Sequence, residues 1–102
     1  MHVIARATLD AFGRKHRAAK EWLENWWQTA VRANWRNLDD VRRVYQSTDQ
    51  VGGCLVFDCK GNNYRLIVRV SYANKYTRGT LFVKHLLTHA EYNKNRWKDC
   101  CE

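Results

Sequence analysis

A chain of 102 residues, 45% hydrophobic with five tryptophans and no proline, has enough material for one small core and too little for two domains. Its formal charge of +8 points to an anionic partner: a phosphate backbone, a membrane surface or an acidic protein. The apolar runs are too short to span a membrane, and Met1-His2-Val3-Ile4-Ala5-Arg6 lacks the apolar region of a secretory signal, so a cytoplasmic protein with no membrane partner is expected.

In chain order, His2 to Ala5 has the composition of a short first strand. Thr8 then offers an N-cap for a short helix with Leu9, Phe12 and His16 at helical spacing, weakened by Gly13. A longer helix is predicted from Ala18 to Ala33. Ala19, Trp22, Leu23, Trp26, Trp27, Ala30 and Ala33 form its apolar stripe, so these tryptophans read as core rather than as a base-stacking platform. Asn37 starts a third, short helix, with Asp39 and Asp40 in its first turn and Arg42 and Arg43 toward its end. Gln46 to Gly53 has loop composition.

Strand-forming sequence dominates from there. Cys54 to Cys59 is followed by Lys60-Gly61-Asn62, a hairpin link, and by Asn63 to Tyr72, in which Tyr64, Leu66, Val68, Val70 and Tyr72 alternate with Asn63, Arg65, Ile67, Arg69 and Ser71. Arg65 and Arg69 share one face about 13 Å apart, a separation suited to an extended polyanion. Ala73 to Gly79 is a polar loop, and Thr80 to Leu87 can pair antiparallel with the central strand. The expectation is an α+β fold over residues 1–102: N-terminal helices on one face of a small antiparallel sheet, the other face open. Trp97 to Glu102 reads as a charged tail that frays.

Two distributions narrow the function. Residues 60–102 carry nine Lys/Arg against three Asp/Glu, so +6 of the +8 lies in the sheet-forming half, within strand-patterned sequence rather than a basic amphipathic helix. Cys54 and Cys59 project to opposite faces of one strand, and Cys100 and Cys101 are adjacent. Neither pair has the spacing of a zinc site, so no metal or other cofactor is expected and the four cysteines are read as thiols. Thr88-His89-Ala90-Glu91-Tyr92-Asn93-Lys94 then gathers an imidazole, a carboxylate, a phenol and an ammonium at the sheet's edge.

Gly61-Asn62-Asn63-Tyr64-Arg65-Leu66-Ile67-Val68 resembles the G-N-x-Y-R-L-I-V strand of HigB-type toxins in the RelE superfamily of toxin–antitoxin systems, and Thr88-His89-Ala90-Glu91-Tyr92 resembles their T-H-x-E-Y ending. The Trp35 and Asp40-Val41 region and the order of elements agree. The chain departs from the pattern at Leu87, where Gly is usual, and at Asn93, where Asp is usual.

The resemblance implies an mRNA interferase that cuts translated mRNA on the ribosome and is silenced by a HigA-like helix-turn-helix antitoxin. The residue types suit metal-free attack of a 2′-hydroxyl on the adjacent phosphorus. An imidazole such as His89 gives or takes a proton, and Tyr92 donates to the leaving oxygen or orients the phosphate. Arg65, Lys84 and Lys94 stabilise charge on the phosphoryl oxygens, and Glu91 orients His89 or acts as base. Arg69, Lys75, Arg78 and Lys60, with Lys84, are the expected RNA contacts, whereas His2, His16 and His85 read as structural. Two alternatives stand beside this: a non-nucleolytic relative resembling ParE gyrase inhibitors, and a plain RNA-binding module using the basic sheet.

Overall fold

The computed structural model describes residues 1–59 and 63–101. Lys60, expected to contact RNA, and the Lys60-Gly61-Asn62 link lie outside the described residues. The elements are β1 (His2–Ile4), α1 (Arg6–Lys15), a 3-10 turn (Arg17–Ala19), α2 (Lys20–Arg32), α3 (Leu38–Arg42), β2 (Asp49–Val51), β3 (Cys54–Cys59), β4 (Tyr64–Ser71), β5 (Thr80–Thr88), α4 (His89–Asn93) and a C-terminal 3-10 segment (Arg96–Cys101). The fold is α+β, as expected.

The expected meander of β3, β4 and β5 forms the centre of the sheet and gains a strand at each edge, giving the order β1-β5-β4-β3-β2. β1 pairs parallel with β5, which makes the sheet mixed. β2 arises within the stretch read as loop, where Asp49 and Val51 pair antiparallel with Val56 and Cys54. Three residues with no alternation of their own carry little strand signal, and here the neighbouring strand supplies the pairing.

One face of the sheet meets the helices as the alternation predicts. Leu66 and Val68 of β4, Leu55 and Phe57 of β3, and Leu81, Val83 and Leu86 of β5 pack with Leu9, Leu23, Trp26, Ala30, Trp35 and Val41. Trp26 is fully buried with its ring edge-on to Phe57 at 5.5 Å, which confirms its core role. α3 begins where Asn37 accepts the Asp40 backbone N–H at 2.9 Å, the cap expected of that residue. α1 instead starts at Arg6, before the Thr8 cap read from the sequence.

Part of the other face is covered, and as far as Cys101 the segment read as a fraying tail packs on it. Trp97, 3% exposed, and Cys101 pack on Cys54, Val56 and Ile67 to form a second small core. Cys54 and Cys101 are joined in a disulfide across 47 residues of sequence, with their Cα atoms 5.1 Å apart. The reading of all cysteines as thiols is therefore corrected: spacing along the chain cannot reveal a partner brought in by a segment that doubles back. Glycine makes the approach possible. Gly52 adopts a φ of 57°, a side chain there would overlap the Cys101 carbonyl oxygen, and that oxygen accepts the Gly53 N–H at 2.6 Å.

Candidate active site

The C-terminal end of β5 meets the N-terminal end of β4 in a corner. Thr88 is in register with Tyr64 and Leu87 with Arg65, so the T-H-x-E-Y residues emerge beside the arginine of the central strand. α4 is only five residues long and starts with a capping box: Thr88 Oγ1 accepts the Glu91 N–H at 3.2 Å, and Glu91 Oε1 accepts the Thr88 N–H at 3.0 Å. This second bond is the main reason that the Glu91 carboxyl is held below the usual carboxylate range, with Lys15 and His16 adding to it. The carboxylate therefore helps to build α4, a use that the sequence reading of orienting group or base did not contain.

Arg65 is partly buried, unlike the exposed His89, Glu91 and Lys94. Its Nε lies 3.0 Å from Asp58 Oδ1, and its side chain is only 12% exposed. Nη1 donates to the Tyr64 carbonyl at 3.2 Å, and the guanidinium lies 5.4 Å from the centre of the Tyr92 ring. Tyr92 is half-buried and stacks on Trp97, with ring centres 5.0 Å apart and planes 14° from parallel. His89, the first residue of α4, is exposed. Imidazole, phenol and guanidinium thus come from one corner of the fold.

Beside that corner lies a cleft of about 450 Å³ lined by His85, Leu87, Glu91, Lys94, Arg96, Trp97 and Asp99. Four of these carry information that the sequence reading missed. His85 is in register with Ile67, on the same face as Arg65, and burial with the nearby Lys84 charge lowers its pKa and keeps it neutral at neutral pH. Counting by twos along β5 from Leu87 would have put it there. Trp97 and Asp99 come from the segment dismissed as tail. Leu87, one of the two departures from the family pattern, packs against the second core, a contact glycine could not make. Asn93, the other departure, is exposed at the end of α4.

The predicted RNA contacts do not converge on the corner. Lys84 is exposed, next to the irregularity in β4–β5 pairing, with its ammonium 5.8 Å from the Phe82 ring. The Arg69 guanidinium lies against Gly53, and Arg69 is in register with Cys54 and Phe82. Lys75 and Arg78 are exposed in the loop before β5, at the opposite end of that strand from His89. Eight residue steps of strand separate those ends, about 26 Å.

The family model for HigB_toxin, the RelE-like toxic component of a toxin–antitoxin system, matches residues 19–95. The chain belongs to the HigB toxin family. The mRNA interferase HigB of Escherichia coli O6:H1 strain CFT073 is 28% identical over 97 residues, covering 92% of this chain and 90% of that protein. As a HigB-family toxin, the protein has an antitoxin as its counterpart. The family match ends at Asn95, so the C-terminal segment carrying Trp97 and Cys101 lies beyond it. Among the described residues no helix is long and apolar enough to cross a membrane.

Proposed function

We propose that this HigB-family toxin is an endoribonuclease that cleaves mRNA on the ribosome. The observation that carries the reading is the corner itself: Arg65 meets the Tyr92 ring where β5 ends against β4, and His89 is the exposed first residue of the helix that starts there. The similarity to an mRNA interferase supports the same chemistry.

In the proposed reaction a 2′-hydroxyl loses its proton to a base, its oxygen attacks the adjacent phosphorus, and the 5′-oxygen leaves with a proton from an acid. The products are a 2′,3′-cyclic phosphate and a 5′-hydroxyl. His89 is the exposed proton carrier at the corner and Tyr92 the hydroxyl that donates to the leaving oxygen or orients the phosphate, while Arg65 and Lys94 oppose negative charge growing on the phosphoryl oxygens. Glu91 acts by shaping α4, since a carboxyl held low by the Thr88 N–H is a poor base. Arg69, Lys75, Arg78 and Lys84 carry phosphate contacts away from the cleavage point. The cognate antitoxin is of the HigA-like helix-turn-helix type, and the reaction takes place in the cytoplasm.

Ribosome dependence follows from size. A domain with principal extents of 38 × 26 × 23 Å, and a cleft formed by one strand end, one short helix and the C-terminal segment, has little surface to hold flexible RNA in line for 2′-hydroxyl attack. A ribosome that fixes the path of mRNA removes that burden. Purified toxin incubated with one mRNA, with and without programmed ribosomes, should cut only the ribosome-bound message efficiently, leaving 5′-hydroxyl ends within coding frames. Equal rates in both would show that the protein orients RNA unaided, and no cutting in either would remove the nuclease reading.

A further inference from the structure

We propose that Trp97 is a positioning residue for the reaction, holding the Tyr92 ring in place from beneath, with the Cys54–Cys101 disulfide anchoring the segment that carries it. The proposal rests on the reading of Tyr92 as part of the cleavage site.

The need for such a residue comes from the shortness of α4. Five residues form too few backbone bonds to persist on their own, so tertiary contacts must fix where their side chains point. Trp97 provides two to the same neighbour. Its indole ring stacks on the Tyr92 phenol ring at 5.0 Å, and its Nε1 donates to the Tyr92 carbonyl at 2.9 Å. Ring and backbone of one residue are therefore held by one side chain.

The chain is shaped to deliver that side chain. Asn95 takes a left-handed φ of 61°, a conformation asparagine tolerates better than most residues, and its N–H donates to the Tyr92 carbonyl at 3.2 Å. This turn sends the chain back under α4. Trp97 then enters the second core beside Ile67 and Val56, and the far end of the segment is tied to β3 through Cys101 and to the Gly52-Gly53 turn through the Cys101 carbonyl. Arg65, itself oriented by Asp58, meets the same Tyr92 ring. The phenol is thus braced by an indole anchored in a core and by a guanidinium anchored in an ion pair. Within this arrangement Trp97 and Cys101 lie beyond the end of the family match at Asn95, whereas Tyr92, Arg65 and Cys54 lie inside it.

Ribosome-dependent cleavage by wild type, Trp97→Leu, Trp97→Phe, Tyr92→Ala and the Trp97→Leu/Tyr92→Ala double variant tests the idea, with folding followed by circular dichroism. Trp97→Leu should lower kcat on the order of tenfold or more with KM little changed, because the substrate still docks but the phenol is misplaced. Trp97→Phe, which can still stack, should recover most of the rate. The double variant should be no slower than Tyr92→Ala, since a residue acting through Tyr92 has nothing left to act on.

Additive losses, or a folded Trp97→Leu protein with wild-type kcat beside an impaired Tyr92→Ala, would overturn the proposal. Wild-type cleavage by Tyr92→Ala would instead remove the underlying reading of Tyr92, and the proposal with it. Should Trp97→Leu fail to fold, the wild-type protein decides. Tyr92 ring protons, assigned by their absence from Tyr92→Phe, should be shifted upfield by the indole ring current, and unshifted resonances would show that no such stack exists in solution.

Discussion

Single side chains here separate into those that hold the fold and those free to do chemistry. Trp26 is fully enclosed by helix and sheet, so Trp26→Ala should cost about 3–5 kcal/mol through the cavity it leaves, read as a fall in the urea midpoint together with loss of toxicity. His89 is exposed and Tyr92 half-buried, so His89→Ala and Tyr92→Phe should lower cleavage on the order of 10²–10⁴-fold in proteins that melt near wild type. A folded His89→Ala toxin that arrests growth fully would take His89 out of the reaction. Titration gives a second residue-level outcome. The His85 pKa is lowered in the fold, so as pH falls the unfolded chain takes up that proton first, and stability declines from about pH 6.5 downward toward the folded value. Glu91 acts in a lower window. Its folded pKa is depressed, so the stability from its capping bond is present above the ordinary carboxyl pKa and lost as pH falls through the folded one. Urea midpoints from pH 8 to pH 5 should fall for wild type and fall less for His85→Gln. Parallel curves would show that His85 protonation is not coupled to folding.

At the scale of elements, the parts legible in the sequence were those whose pattern repeats over several residues. The alternation of Tyr64, Leu66, Val68, Val70 and Tyr72 located the face of β4 that meets the helices, and the apolar stripe through Leu23, Trp26 and Ala30 located the face of α2 that meets the sheet. The T-H-x-E-Y stretch stood out as a candidate because chemistry-bearing residues are dense there, and its position at the end of β5 followed from strand length. What escaped notice was short or remote. β2 is only three residues and is defined by pairing with β3. The C-terminal segment hides Trp97 and Cys101 among Arg96, Lys98 and Asp99, and the surface they bury belongs to β3 and β4, far earlier in the chain. Ile67 was the available hint, a fully buried apolar residue on the face assigned to arginines, which needed a cover that local composition did not supply. Loop-closure entropy makes that cover strongly dependent on its disulfide. Closing a loop across 47 residues is worth about 4 kcal/mol in the chain-entropy account, so Cys101→Ser should lower stability by up to that amount. An unchanged urea midpoint under non-reducing conditions would mean that the segment is held by packing alone.

For the whole molecule, positive charge follows the sheet rather than the corner where β5 ends. Lys94 and Arg96 flank the corner, Lys84 and Arg69 lie along β5 and β4, and Lys75 and Arg78 stand at the far end of the sheet, about 26 Å of strand from His89. A single scissile phosphate cannot meet both ends of that distribution, so on the proposed function the distant charges would have a separate task. If the partner is a large ribonucleoprotein, that task is docking against structured RNA, which adds affinity without entering the reaction. The two contributions can be told apart by salt. Each phosphate neutralised on docking contributes roughly 0.7–0.9 to the slope of log affinity against log salt, while a group acting only on the reacting phosphate changes kcat at saturation. Lys75→Ala combined with Arg78→Ala should therefore weaken toxin binding to programmed ribosomes and flatten its salt dependence by up to about two such contacts, with kcat at saturating ribosomes and the mapped 5′ ends unchanged. Lys94→Ala should show the converse, a lower kcat with a nearly unaltered salt slope. If the Lys75/Arg78 variant bound as tightly as wild type from low to high salt, the far end of the sheet would have no part in ribosome docking, and its charge would have to answer to the antitoxin instead.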